Sequence, residues 1–302
     1  MTNKTIEILL IDSRFEDHRL KDNKREKDLL PSIAEMGIRE PILGVLKENK
    51  LILLDGFKRL RCARKLKMGL LPYDEIEQDE ALGILKLLKI SNNRSLHILE
   101  QAKLVDELKE VYGMKVTEIA RSLERSSGWV SVRLGILTEL GPYVEKQVFQ
   151  GKFPAQNLLY TLRPFRRLNK IPLPEINEFV KAVSSKGLSN RDIEHLAQGY
   201  FKGGKETKEQ IKQGKFSWCL QHLKEQNKET TADLPDVEKR TLLDLEIIQK
   251  YMGRLLCKLP LSQTPSASFK ATASILIEGV LEKAPLFIEQ IKKLVEGGRH
   301  DR

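Results

Sequence analysis

The first 80 residues of the chain show two kinds of hydrophobic pattern in alternation. Residues 5–11 (TIEILLI) form a short, β-branched apolar run, which predicts a strand. Residues 25–38 carry apolar side chains at helical spacing, and Pro31 within them predicts either the start of the regular helix or a kink. Two apolar runs in residues 41–56 flank a polar turn and predict a hairpin, and residues 57–69 predict a second helix. A small α/β unit is therefore expected in this part of the chain.

Beyond residue 80 the strand pattern stops, and apolar residues recur at helical spacing over most of the remaining chain. Glycines and lysines crowd residues 199–216, and prolines and serines interrupt residues 258–270, so both stretches are expected to join helical segments. The pattern predicts an α+β, mostly helical fold. The expected parts are a small α/β N-terminal domain (residues 1–95), an all-helical core with a helix-turn-helix (residues 96–200), and a linker with a helical C-terminal region (residues 201–302).

Residues 112–137 have the spacing of a helix-turn-helix. Thr117 is placed to cap a short first helix, and Ala120 is small enough to let a second helix cross closely. After a short polar turn, Ser126 or Ser127 can cap that second helix. The alternative interpretation is a pair of packed helices in an all-helical domain, because this spacing also occurs by chance.

In a helix-turn-helix protein the N-terminal turns of the second helix enter the major groove of DNA. Hydroxyl groups there contact phosphates or base edges, and an arginine reaches a phosphate or a guanine. Trp129 has two interpretations, as a DNA contact and as an anchor that holds the helix in the protein. The residues expected to contact duplex DNA are Thr117, Arg125, Ser126, Ser127, Trp129, Ser131 and Arg133.

The composition favours a polyanionic partner. The 302 residues carry a formal net charge of +10 and the sequence pI is near 9.3, which points to nucleic acid first and to an anionic membrane surface second. The three cysteines form no CxxC pair and the five histidines show no ligand spacing, so neither a disulfide framework nor a metal site is expected. No signal peptide and no membrane-spanning run are expected, so the predicted location is cytoplasmic and nucleoid-associated.

A basic helix follows a glycine turn in residues 55–66. Gly56 permits a tight turn, and the helix behind it offers unpaired N–H groups and the positive end of its dipole to an anion. Lys58 and Arg61 lie on one face of this helix, while Arg59 in the first turn can grip a phosphate with its forked guanidinium. The alternatives are a solvated basic face, a nucleoside triphosphate site and a site for DNA phosphate.

The order of these segments resembles the ParB family of partition proteins over about residues 6–200. The first segments match the opening of the family's N-terminal nucleotide-binding domain, and the helix-turn-helix follows at the expected distance. The positions that match the family's nucleotide and phosphate segments are Gly37, Pro41, Ile42, Gly56, Lys58, Arg59, Arg61 and Asn92. Residues 187–194 are similar to part of a helix pair that follows the helix-turn-helix in the family.

The resemblance implies a protein that binds duplex DNA in plasmid or chromosome partition or in mobile-element maintenance, with nucleotide gating as an alternative. Family members that hydrolyse CTP hold Mg²⁺ with an acidic residue. Here Ser91 stands at or near that position, and Phe57 replaces a glutamate. A hard cation prefers carboxylate oxygens. Whether the protein binds CTP with Mg²⁺ is therefore left open. We do not favour enzymatic activity, and we assign no catalytic or metal-binding residue.

Other functions remain as alternatives: a CTPase or a small-molecule kinase of the same superfamily, a transcriptional regulator, or an adaptor for other proteins. Cys62 is expected to pack in the core, because sulfiredoxins, which share this fold, place their catalytic cysteine directly after the glycine, where Phe57 stands here. Many ParB family members dimerise through a C-terminal segment, so a homodimer is expected. The sequence contains no Walker-type segment, so a partition ATPase would be a separate partner.

Overall fold

The computed structural model of the chain describes residues 4–91, 96–232, 235–258 and 267–297. The chain divides into two compact units, residues 1–262 and residues 263–302. The fold is α+β and mostly helical, as the sequence predicts.

A five-stranded mixed sheet lies in the N-terminal part of the first unit. Its strands are β1 (Thr5–Glu7), β2 (Ile11–Asp12), β3 (Ile42–Lys47), β4 (Lys50–Asp55) and β5 (Leu70–Glu77). Their order across the sheet is β1-β5-β3-β4-β2. The pairs β3–β4 and β1–β5 are antiparallel, and the pairs β3–β5 and β2–β4 are parallel. The predicted hairpin is confirmed as β3 and β4.

Two strand predictions need correction. The run predicted as one strand is extended only in β1 and β2, because residues 8–10 turn as a 3-10 helix between them. Strand β5 is not predicted from the sequence. Pro72 and three acidic side chains interrupt the apolar pattern of this strand in the sequence. Its buried positions, which pack in the core, are Leu71, Tyr73 and Ile76.

Three helices cover the sheet region: α1 (Asn23–Met36), α2 (Phe57–Lys65) and α3 (Glu80–Ile90). Helix α1 begins well before Pro31, because Asp22 caps it by accepting the N–H of Arg25 at 3.1 Å. Of the two alternatives predicted for Pro31, the start of the helix is therefore wrong, and the proline lies inside the helix.

The helical part of the first unit continues from residue 98 to residue 258. Its helices are α4 (Ile98–Glu110), α5 (Val116–Leu123), α6 (Ser127–Phe149), α7 (Ala155–Asn157), α8 (Arg163–Arg167), α9 (Leu173–Val183), α10 (Asn190–Lys202), α11 (Lys205–Lys212), α12 (Phe216–Ala232) and α13 (Asp236–Lys258). Helix α6 bends at Gly141, which has φ 68° and is followed by a proline.

Two hydrophobic cores share α4 and α6. The first core joins the sheet to α2, α3, α5 and the first turn of α6, where Trp129 and Val130 are buried. The second core joins α6 from Ile136 onward to α8, α9 and α10. Leu99 at the start of α4 belongs to the second core, whereas Leu104 belongs to the first. The helix-turn-helix therefore packs directly on the sheet region, and the predicted domain limits stay predictions.

The helices nearest the C-terminus expose many apolar side chains. Helix α13 leaves Leu243 and Tyr251 exposed, and α14 (Ala267–Gly297), in the second unit, leaves Ile275, Leu276 and Leu281 exposed. Water around such groups is unfavourable, so each helix presents a surface that favours a covering partner. Within the described residues, no helix is both long enough and apolar enough to cross a membrane.

Candidate nucleic-acid interface and anion site

The helix-turn-helix is formed by α5 and the first turns of α6. Ile119, Ala120 and Leu123 of α5 are buried against α6, as their spacing predicts. Helix α5 begins two residues earlier than expected: the backbone N–H of Lys115 donates to Glu118 Oε2 at 2.8 Å in a capping arrangement. Thr117 is therefore an exposed residue of the first turn and not the cap, which corrects the prediction.

The N-terminal end of α6 faces solvent. Ser126 caps the helix by accepting the N–H of Trp129 at 3.1 Å, which confirms one of the two predicted caps. Ser126, Ser127 and Ser131 are exposed, and Arg125 is half-buried beside them. The first N–H groups of a helix have no acceptor within it and carry its positive dipole end. This end of α6 can therefore receive phosphate oxygens, and the exposed hydroxyls can reach base edges.

Trp129 and Arg133 point into the protein, which corrects the prediction that Arg133 contacts DNA and favours the anchor among the two interpretations of Trp129. The Arg133 Cζ lies 3.3 Å from the centroid of the Trp129 ring, and both residues are buried. The guanidinium donates to Gln101 Oε1 of α4 from Nε at 2.9 Å and from Nη2 at 2.7 Å. Burial, and then the positive charge of Arg125, lowers the pKa of Arg133 to about 9. Trp129 is thus the anchor of α6, and Gln101 is a partner that nothing in the sequence indicated.

The predicted anion site surrounds the turn between β4 and α2. Gly56 has φ 101°, and a Cβ there would lie 2.7 Å from Ile42 Cγ2. Ile42 is fully buried, so it serves as a packing wall beneath the turn. Gly37 ends α1 with φ 67° and lies next to open space. The glycines are therefore required by backbone geometry at both turns, and their role in anion binding stays a prediction.

Arg59 holds the loop that precedes β3. Its Nη1 donates to the carbonyl oxygens of Glu40 at 2.7 Å and Pro41 at 2.6 Å, and its Nη2 lies 3.6 Å from Asp55 Oδ2. Pro41 thus contributes its carbonyl group as a hydrogen-bond acceptor for Arg59. In this arrangement the guanidinium is occupied by the protein itself, so an anion would have to compete with two carbonyl groups for it.

Arg61 lies between two carboxylates. Its Nη1 donates to Glu16 Oε1 at 2.7 Å, and its Nε donates to Glu26 Oε1 at 2.9 Å. Burial lowers the pKa of Arg61, but the bonds to Glu26 and Glu16 outweigh burial and raise it. The residue therefore ties α2 to α1, so the alternative of a solvated basic face does not hold for Arg61, and its role in anion binding stays a prediction. Lys58 is half-buried, with its Nζ 3.8 Å from Asp22 Oδ2.

Arg19 is a candidate that the sequence reasoning missed. Its Nη2 donates to Asp55 Oδ1 at 2.6 Å, and its Nε lies 3.5 Å from Glu100 Oε1. Its Nη1 is buried and has no hydrogen-bond partner within the described residues. Buried donors without an acceptor are rare, so this atom is suited to a ligand oxygen. Asn92 lies outside the described residues, and the neighbouring Ser91 is buried at the end of α3.

The donors around this turn fit a phosphate better than a metal ion. The first N–H groups of α2, Lys58 and the Nη1 of Arg19 are all hydrogen-bond donors on the same side of the fold as Asp55. Within the described ranges, no group of three or more His, Cys, Asp or Glu side chains is placed to hold a metal ion. Cys62 is fully buried, with its Sγ 3.7 Å from the carbonyl of Glu26, as expected for a core residue.

Comparisons with known proteins place the chain near partition proteins. A probable chromosome-partitioning protein ParB of Helicobacter pylori is 27% identical over 127 residues, which is 42% of this chain and 43% of that protein. A nucleoid occlusion protein of Shouchella clausii is 22% identical over 199 residues, 65% of this chain and 68% of that protein. The chain thus matches less than half the length of the Helicobacter relative. No family model matches the sequence.

Two solved structures of C-terminally truncated ParB from Caulobacter crescentus also match. One is complexed to the centromeric parS site, at 16% identity and a TM-score of 0.29, over 70% of this chain and 98% of that one. The other is complexed with CTP-γ-S, at 20% identity and a TM-score of 0.27, over 61% and 99%. The curated matches confirm the resemblance to the ParB family at modest sequence identity, since the chain is similar to proteins named ParB and nucleoid occlusion protein.

Proposed function

We propose that this protein binds duplex DNA through the N-terminal end of α6 and acts in the partition or maintenance of a chromosome, plasmid or mobile element. The observation that carries the proposal is the capped, solvent-facing start of α6 directly behind the short helix α5. The curated relatives named ParB and nucleoid occlusion protein support the same class of function. The net charge of +10 supports a polyanionic partner.

The exposed side chains divide into two roles at a DNA surface. Ser126, Ser127 and Thr117 lie at helix starts, where hydroxyl and N–H groups receive phosphate oxygens. Ser131 lies one turn into α6, at the depth where side chains of a second helix reach base edges in the major groove. Arg125 precedes the cap and adds a positive charge beside the phosphate contacts.

The proposal is tested by selecting bound sequences from a random duplex pool and then measuring affinity by fluorescence anisotropy. We expect one enriched sequence and an affinity that falls steeply with salt. A Ser131→Glu variant should bind at least about tenfold more weakly, because a carboxylate would face the DNA. Ser217→Glu, at an exposed serine of α12, is the matched control. Equal loss in both variants, or no selected sequence, would contradict the proposal.

A second candidate function is nucleotide binding at the turn between β4 and α2. The buried Nη1 of Arg19, which has no hydrogen-bond partner among the described residues, favours it, together with the N-terminal end of α2. If a triphosphate binds, Lys58 and Arg19 would hold its oxygens, and Arg59 would exchange its carbonyl partners for them. CTP with Mg²⁺ is the form that we propose to test, since the resemblance to the ParB family implies it.

Calorimetric titration with CTP and with ATP, each with and without Mg²⁺, tests this second function. We expect heat with one nucleotide, and we expect Lys58→Gln to lose it while Lys50→Gln, at an exposed lysine of the hairpin turn, keeps it. The absence of heat in all four titrations would exclude nucleotide binding and leave the DNA-binding proposal intact. Release of inorganic phosphate in the same samples would identify a CTPase or an ATPase.

We further propose that the protein is a homodimer joined by α14 and that a partition ATPase is a separate partner. Ile277, Leu281 and Ile288 recur at heptad spacing along α14, and each is at least half-exposed in its own unit. Sedimentation analysis of Leu281→Asp tests the dimer, because a charge in the seam should give monomers. Lys283→Asp, on another face of α14, is the control and should sediment like the parent.

A further inference from the structure

Arg133 is a buried cation whose hydrogen-bond partners are all neutral. Only 7% of the residue is exposed. Its nitrogens donate to the amide oxygen of Gln101 and, from Nη1 at 3.2 Å, to the carbonyl of Trp129, and its flat face covers the Trp129 ring. In the part of the chain that the structure describes, no carboxylate lies within ion-pair distance of this guanidinium. Arg163, the other buried arginine among the described residues, differs, since it contacts Glu139.

A cation in this environment lowers the stability of the fold, because burial removes its hydration and neutral partners replace only part of it. A glutamate in place of Gln101 has almost the same shape and would neutralise the guanidinium, although it would lose the hydrogen bond that the Gln101 amide donates. The chain instead places an amide there, and the Nε2 of Gln101 donates to the carbonyl of Leu96 at 3.0 Å. That bond turns the amide oxygen toward Arg133. The site is therefore built to hold the cation and to leave its charge uncompensated.

The uncompensated charge lies close to the surface proposed to receive DNA. Arg133 follows the exposed Ser131 by two positions in α6, and its guanidinium lies against the first turn of the same helix. An α-helix with its side chains is about 10–12 Å wide, so the charge is about one helix width from that surface. The path between them passes through the protein, where a charge is screened less than in water. Arg125 adds a second positive charge on the same side.

We infer that Gln101 is a neutral partner that leaves the charge of Arg133 uncompensated, so that the guanidinium charge strengthens the attraction of the α6 N-terminal end for DNA phosphates. The inference rests on the proposed DNA binding and names one charge that contributes to the affinity of the protein for DNA. It assigns to α4 a residue that contributes to binding without contacting the nucleic acid.

Two variants of the full chain, Gln101→Glu and Gln101→Met, separate charge from structure. Each is measured for melting temperature and for duplex affinity at low and at high salt. Gln101→Glu gains an ion pair and loses the bond to the carbonyl of Leu96, so it should melt close to the temperature of the parent. It should nevertheless bind DNA about threefold to tenfold more weakly at low salt, with a smaller difference at high salt. Gln101→Met removes all three hydrogen bonds of the Gln101 amide and leaves the charge of Arg133. It should therefore melt lower but bind within about twofold of the parent at 10 °C.

The outcomes are distinct. If Gln101→Glu binds as tightly as the parent, the inference is wrong and the DNA-binding proposal stands. If Gln101→Met loses as much affinity as Gln101→Glu, the role of Gln101 is only structural and the inference is again wrong. If the parent itself binds no duplex from the selected pool, the proposed function fails and the inference fails with it.

Discussion

Gly56 and Ile42 pack so closely that no side chain fits between them. The position of a Cβ at residue 56 is 2.7 Å from Ile42 Cγ2 and 3.3 Å from Ile42 Cα, and the φ of Gly56 is 101°. Real Cβ atoms do not approach carbon atoms this closely, and few residues other than glycine adopt this backbone conformation. The contact joins the start of α2 to β3, and it sets the turn around which the predicted anion site is arranged.

Gly56→Ala should lower the free energy of unfolding by about 1–3 kcal/mol, since the methyl group strains the backbone and displaces Ile42. Urea denaturation followed by circular dichroism measures it. Gly69→Ala is the matched control, because nothing lies within 4 Å of a Cβ at that position. Equal stability of both variants would mean that the turn adapts and that the glycine is not required by the fold.

Arg61→Met should destabilise the protein by about 3–5 kcal/mol, because Glu26 would remain buried without its cation and Glu16 would lose its partner. Arg64→Met, three positions along the same helix at an exposed site, should change stability by less than about 0.5 kcal/mol. Thermal and urea unfolding of both variants provide the comparison. A small effect of Arg61→Met would contradict the prediction that its ion pairs with Glu16 and Glu26 stabilise the fold.

Arg125→Gln should weaken duplex binding to a similar degree on all DNA sequences and should reduce the slope of log affinity against log salt by about 1, as expected for the loss of a phosphate contact. Lys186→Gln, at an exposed lysine between α9 and α10, should leave the slope unchanged. A salt titration by anisotropy measures both. A change in the selected sequence with an unchanged slope would identify Arg125 as a base contact.

His97 links the stability of α4 to pH. Its Nδ1 accepts the N–H of Leu99 at 3.3 Å and so caps the helix, which requires an unprotonated Nδ1. Burial lowers the pKa of His97, and Glu100 partly opposes this. Since the folded pKa is below the unfolded value of about 6.5, this contribution to stability is complete above pH 6.5 and is lost as pH falls toward the folded pKa.

His97→Asn should keep the cap and remove this titration, because asparagine is also a favourable N-cap residue. We therefore expect the difference in unfolding free energy between pH 7 and pH 5 to be smaller in the variant than in the parent. The residual pH dependence includes His18, whose pKa is also lowered by burial. Urea denaturation at both pH values measures the difference, and an unchanged pH dependence would exclude His97 as its source.

Local patterns in the sequence were sufficient for much of the fold. The hairpin of β3 and β4, the basic helix α2 and the pair α5–α6 were all predictable because spacing alone places their apolar side chains on one face. Strand β5 was not predictable from spacing, because its extended conformation is stabilised by pairing with β1 on one side and β3 on the other. Pro31 suggested a later start for α1, but the helix begins at Asn23 behind the cap at Asp22. The stabilisation of this start outweighs the one backbone hydrogen bond that the proline cannot donate.

At the two candidate sites, too, some features follow from the sequence and others only from the folded structure. The sequence by itself determined that a basic helix follows Gly56, that a serine caps α6 and that the chain resembles ParB proteins, since these depend on residue type and short spacing. Only the folded chain placed Arg61 between Glu16 and Glu26 and laid Arg133 on Trp129 beside Gln101. Those contacts join residues that are 4 to 45 positions apart. Whether an arginine meets a carboxylate, a carbonyl, an amide or solvent depends on how separate helices pack, and that packing decides which positive charges are compensated within the protein.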